Sequence, residues 1–225
     1  MVASTAFAQP GDFRVVPFEF DPFKTGLVKA AWLTGIGCPT NANTALFTSS
    51  GDIVAGTFAD AGCPTTDAKD NRFEGLLLAK TGPTANFAIS GASLKGLDGL
   101  VITATTTLGF DIRKALSQAN PAGSHCGAGA PRFNITTTLG FTYFIGCAAG
   151  SPTATSTGFI RLRFLASAAF PQGAGQPPLD GQTVASIFIV FDEGQDTGPD
   201  FFGLAVLDNI AVNEVLVGRG PTTGK

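Results

Sequence analysis

Residues 183–218, TVASIFIVFDEGQDTGPDFFGLAVLDNIAVNEVLVG, limit what this chain can fold into more than any other stretch. They open on Ile187-Phe188-Ile189-Val190-Phe191, an apolar run too short for a helix and rich in β-branched and aromatic residues. Such a run reads as a strand buried on both faces. An acidic, glycine-broken loop follows, and a second apolar run, residues 204–207, returns to the core. Asp208-Asn209 and then Asn213-Glu214 are expected to turn the chain twice more. This is the closing part of an antiparallel β-sandwich.

The rest of the chain repeats the pattern. Residues 13–20 set Val16, Phe18 and Phe20 against Arg14 and Glu19, and Pro17 marks an edge strand or a bulge. Strands are expected near 27–33 (with Trp32 as core), 53–58, 73–79, 87–94 and 100–107. The cleanest alternation is at 159–165, where Ile160, Leu162 and Phe164 oppose Arg161 and Arg163. The hexapeptide TTTLGF occurs at 105–110 and again at 136–141. Two copies are too few for a solenoid, so the same turn chemistry is expected in two similar hairpins. Residues 111–120, DIRKALSQAN, are the one helix-like piece, ended by Pro121. The expected fold is therefore all-β, an antiparallel sandwich or jelly roll of roughly a dozen strands with at most one short helix. No linker splits it: residues 1–12 read as an N-terminal arm, 13–218 as one domain and 219–225 as a tail.

Composition narrows the function classes. Charged residues are 14%, against about 25% in ordinary soluble domains, and mean hydropathy is +0.26. No apolar run nears the roughly 20 residues of a membrane helix, so the surplus apolar surface goes to a thick core or to contacts between copies. A net charge of −3 leaves no basic footprint for nucleic acid.

Four cysteines form two local pairs. Cys38 and Cys63 each sit in Gly-Cys-Pro-Thr, while Cys126 and Cys147 flank an expected hairpin. Without a CxxC, and with one histidine, disulfides Cys38–Cys63 and Cys126–Cys147 are favoured over zinc. Disulfides place the protein in an oxidising compartment. Ala6-Phe7-Ala8 ahead of Gln9 looks like the end of an export signal, without a positive region before it. Residues 1–10 carry no charged side chain and are expected either to fold back or to extend a neighbour's exposed sheet edge. Val2, Ala3, Phe7, Phe13 and Val15 are the expected contact residues.

Candidate chemistry is sparse. Asp192, Glu193, Asp196 and Asp200 put four carboxylates on a glycine-containing loop, a donor set suited to structural Ca²⁺. The competing reading leaves them solvated or paired with Arg161 and Arg163. His125 stands alone in a Gly/Ser/Pro-rich run and reads as a loop residue. There is no GxSxG elbow and no evident carboxylate pair for glycoside hydrolysis, so no catalytic residue is assigned. Asn134-Ile135-Thr136 is a formal glycosylation sequon inside an expected strand.

SHCGAGAPRFN (124–134), FDEGQDTGPDFFGLAVLDNI (191–210) and the doubled Gly-Cys-Pro-Thr resemble secreted bacterial proteins of uncharacterised function. The closing LAVLDNIAVN resembles the last strands of carbohydrate-binding-type jelly rolls. The leading expectation is a secreted, non-catalytic structural protein that assembles with copies of itself as a filament or surface layer, needing no cofactor. The alternative is a secreted β-sandwich module that binds a glycan or cell surface, with calcium as a structural ion. A glycoside or ester hydrolase comes third.

Overall fold

The computed structural model describes residues 13–37, 43–47, 53–57, 74–114, 130–149, 151–154, 159–196 and 203–221. The fold is an antiparallel β-sandwich of the jelly-roll kind. In chain order the strands are β1 (Arg14–Phe20), β2 (Val28–Thr34), β3 (Asn43–Phe47), β4 (Ile53–Thr57), β5 (Glu74–Lys80), β6 (Ile89–Lys95), β7 (Thr107–Arg113), β8 (Arg132–Thr137), β9 (Thr142–Gly146), β10 (Ser151–Ala154), β11 (Ile160–Leu165), β12 (Phe170–Pro171), β13 (Val184–Phe191), β14 (Leu204–Val212) and β15 (Val215–Val217). One sheet has the order β1-β6-β13-β8-β9-β12. The other runs β10-β11-β7-β14-β5-β2, with β15 added beside β14. β3 and β4 pair separately. No described helix is long and apolar enough to cross a membrane.

Side-chain alternation explains the two layers. Val15, Leu94, Ile187, Ile189, Phe133 and Ile135 of the six-stranded sheet enter one core cluster with Leu76, Leu78, Leu108, Phe110, Leu162 and Leu207 of its partner. Burying one such side chain stabilises by about 1.5–3 kcal/mol, so a one-residue slip, which turns a strand's whole set outward, is strongly disfavoured. Pro17 lies in an edge strand, as its missing N–H demands. Trp32 is partly buried against the core and donates its indole N–H to the Val15 carbonyl at 3.0 Å.

Several local expectations are corrected. Asp111, Ile112 and Arg113 close strand β7 rather than opening a helix, because Ile112 is drawn into the core; residues 115–120 lie outside the described residues. Most of 100–107 is loop, with a single bridge between Val101 and Thr183. Asp208-Asn209 is a bulge within a continuous β14, with Asn209 at φ 46°, whereas Asn213, at φ 52°, does sit in a turn. β14 is buried along its whole length, but β13 is not. Phe188 is only half-buried on the sheet's outer side, and that difference positions the site.

Candidate functional site

The six-stranded sheet presents its inner side to the core and its outer side to solvent. Register alone aligns the outer side chains into cross-strand rows. The central row is Val16, Ser93, Phe188, Asn134, Phe144 and Phe170, one residue from each strand in spatial order. Residues directly opposite on neighbouring strands point to the same face about 5 Å apart, so this is a continuous stripe about 24 Å long at 4.8 Å per strand. The next row is Phe18, Gly91, Val190, Arg132 and Gly146.

The expectation for residues 13–20 needs a correction here. Parity places Val16, Phe18 and Phe20 with Arg14 on the outer side, while Phe13 and Val15 go into the core. Apolar residues alternate with other apolar residues along β1, so the charges alone mislabel its faces.

Glycine makes the stripe fit. A Cβ on Gly91 would lie 2.5 Å from the Ile189 carbonyl oxygen and 2.7 Å from Cζ of Phe18. The Phe18 ring therefore lies across bare backbone and meets Phe188 edge-on, centroids 5.8 Å apart. At the other end the Arg132 guanidinium stands over the Phe144 ring at 5.7 Å. Phe170, on the edge strand beyond, is 65% exposed.

Polar groups stand among these rings. Asn134 Oδ1 is enclosed on β8 between Phe188 and Phe144 and has no hydrogen-bond partner among the described residues. Thr136 and Thr142 share a hydroxyl hydrogen bond at 3.3 Å. Arg132 grips Asp192 through two parallel bonds of 2.7 Å.

The acidic loop is distributed rather than gathered. Asp192 pairs with Arg132. Glu193 meets Lys114 at 3.0 Å with both side chains wholly buried. Asp196 accepts from both the amide and the hydroxyl of Thr84 at 2.7 Å. Among the described residues no three acids, cysteines or histidines converge on one point; Asp200 lies outside them. Arg161 and Arg163 do pair with an acid, but it is Asp111 on the neighbouring strand.

These contacts shift the acids. Burial pushes the Asp192 carboxyl up, but the hydrogen bonds and charge of Arg132 outweigh it, so Asp192 titrates below its ordinary 3.8. A group with a depressed folded value contributes stability above its unfolded value and loses it as pH falls through the folded one. The melting-temperature gap between wild type and Asp192→Asn is therefore expected to hold at neutral pH and to close once the pH drops below 3.8. A gap that stays constant into strong acid would show that the Arg132 pairing contributes nothing.

Other expected site residues fall as follows. Cys147 is disulfide-bonded, and Cys38, Cys63 and Cys126 lie outside the described residues. So do Val2, Ala3, Phe7 and His125. Phe13 and Val15, expected at a contact between copies, are 3% and 0% exposed within this chain's own core. Their apolar side chains are already satisfied and offer nothing to a neighbour.

The stripe itself escaped sequence reasoning. Its residues come from six separated segments, and only strand order and register join them. The one available signal was parity: in β8, β9 and β13 the outward residues are uncharged apart from Arg132, with Asn134, Thr136, Thr142, Phe144, Ser186 and Phe188 among them.

No family model matches this sequence, and no curated protein matches it. Among solved structures the chain is similar to a family 11 carbohydrate-binding module from Clostridium thermocellum in complex with a β-1,3-1,4-mixed-linked tetrasaccharide, at 14% identity over 93% of this chain and 92% of that one, TM-score 0.41. It is also similar to the family 11 carbohydrate-binding module of a cellulosomal cellulase from the same organism, at 13% identity over 95% and 93% of the two chains, TM-score 0.39.

Proposed function

We propose that this protein is a secreted, non-catalytic glycan-binding module and that the outer side of its six-stranded sheet is the binding face. The row Val16–Ser93–Phe188–Asn134–Phe144–Phe170 carries the reading. Monomeric proteins seldom leave a long aromatic stripe in water without use. Here the rings are interrupted by the Asn134 amide and flanked by hydroxyls. A sugar has the complementary make-up: C–H faces that pack on rings and hydroxyls that bond to amides. The rings are phenylalanines, so they supply packing area, and direction comes from the half-buried Asn134, Thr136 and Thr142. The disulfide at Cys147 fits an oxidising compartment.

The self-assembly reading loses ground for a specific reason. Two of its five contact residues, Phe13 and Val15, are enclosed in the core.

Affinity electrophoresis through gels containing soluble polysaccharides tests the proposal. Wild type should be retarded on at least one glycan, and Phe188→Ala/Phe144→Ala should bind at least about tenfold more weakly, as expected when two central aromatic contacts are truncated. Both side chains are half-buried on an outer face, so the variant should still fold. Retardation unchanged in the variant would remove the face from consideration. Retardation on no glycan, together with large particles in light scattering, would restore self-assembly.

A further inference from the structure

At one end of this outer face two cations stand directly opposite each other. Arg14 of β1 and Lys95 of β6 are register partners, both exposed. Among the described residues neither enters an ion pair or a side-chain hydrogen bond. Like charges at directly opposed positions destabilise a sheet. Arg132, the cation in the neighbouring rows of the face, is neutralised by Asp192. The nearest acid along β6, Asp98, belongs to the turn that follows the strand. In a chain of net charge −3, two adjacent uncompensated cations are a local exception.

Their position gives the exception a use. Two residues along β1 from Arg14 is Val16, the first member of the aromatic row, so the cations lie about 7 Å from that row and on the same side. Continuing the β6–β13 register one step past Leu94 and Ile187 sets Lys95 beside Ser186, which is level with Thr136 and Thr142. The end row thus reads cation, cation, hydroxyl, hydroxyl, hydroxyl, parallel to the row of rings.

We propose that the glycan bound by this face is anionic, with a carboxylate or sulfate group seated between Arg14 and Lys95 while the sugar ring beside it packs on the aromatic row. This rests on the glycan-binding reading of the face. Arg14 supplies a planar fork suited to a carboxylate or sulfate, and Lys95 a compact second charge. An anion there turns a repulsive cross-strand pair into two attractive contacts. A neutral polysaccharide leaves the repulsion in place.

The test compares the full chain with Arg14→Gln/Lys95→Gln on three probes: alginate (a polyuronate), a sulfated galactan and hydroxyethylcellulose. Wild type should bind at least one acidic probe about tenfold or more tightly than the neutral one, with the preference shrinking as salt is raised from 0.05 to 0.5 M, because exposed charges are screened. Whether alginate or the galactan binds better separates carboxylate from sulfate. The double variant should bind all three at the neutral level. Equal affinity for neutral and acidic probes, or a preference that survives the substitutions, overturns the anionic-ligand inference and leaves the face intact. Binding to acidic probes that needs Arg14 and Lys95 but is untouched by Phe188→Ala/Phe144→Ala overturns the aromatic face and keeps the anion site. No binding to any probe overturns both.

Discussion

Phe133→Ala is expected to lower the free energy of unfolding by about 3–5 kcal/mol, the range for a buried phenylalanine truncated where the surroundings cannot close in. Phe133 belongs to β8 in one sheet, while Phe110 of β7 and Phe164 of β11 belong to the other. The three rings form a closed triangle, with centroids 5.6, 5.7 and 6.1 Å apart. Phe133 and Phe110 are 0% exposed and Phe164 is 3%. Each edge of such a triangle adds about 0.5–1.5 kcal/mol beyond the area buried. Removing Phe133 takes away the two edges of the triangle that cross between the sheets. The flanking core residues Ile135, Ile187 and Ile189 are fixed by their own ladders, so the cavity should persist. Denaturant unfolding measures the loss. Phe188→Ala is the reference, since a half-buried ring on the outer face should cost much less. A loss under about 1 kcal/mol for Phe133→Ala would mean that the sheets can settle together without the triangle.

The two copies of TTTLGF show what local sequence carries and what it does not. Both were expected to make the same turn. In the first, Leu108, Gly109 and Phe110 are interior strand residues, and Leu108 and Phe110 are wholly buried. In the second, Thr138 and Leu139 form a turn, Gly140 takes φ 82° and Leu139 is 69% exposed. The glycines serve unrelated needs. Gly140 supplies a left-handed backbone, whereas a Cβ on Gly109 would meet the Leu162 carbonyl oxygen at 2.4 Å and the Arg163 side chain at 2.5 Å. Identical hexapeptides diverge because the first lies between β11 and β14 and the second ends a strand whose partner turns back at once.

The same reasoning explains which parts were legible. Alternation in β11 correctly separated Leu162 and Phe164 from Arg161 and Arg163, because a two-residue period is a local property. The acid those arginines find was mistaken for the start of a helix. Asp111 is 50 residues from Arg161, and only strand pairing brings them together. The candidate face was illegible for that reason too. Each of its residues is ordinary on its own strand until the five registers that join six strands are fixed at once.

Asp111→Ala is the second large effect expected. Asp111 is 0% exposed on β7 and points to the outer side of the seven-stranded sheet, away from Phe110 and Ile112. Its two oxygens accept from Arg161 Nε at 3.0 Å and Nη2 at 2.9 Å, from Arg163 Nη1 at 3.3 Å and from Asn209 Nδ2 at 2.9 Å. The last contact depends on the bulge that turns Asn209 to φ 46°, so one carboxylate ties together β7, β11 and β14. Desolvating that carboxylate is costly, and the pair as a whole need not exceed an apolar replacement. Removing only the acid is different. It strands two neighbouring guanidiniums with no anion between them and leaves the Asn209 amide without its acceptor, a loss of about 3–5 kcal/mol. A cycle with Arg161→Ala isolates the shared part. If the acid and the arginine act as a unit, Asp111→Ala/Arg161→Ala should be less destabilised than the two single losses added together. If Asp111→Ala alone costs less than about 1 kcal/mol, or if the single losses simply add, the arginines are satisfied by solvent and the three strands are held by their ladders and core contacts alone.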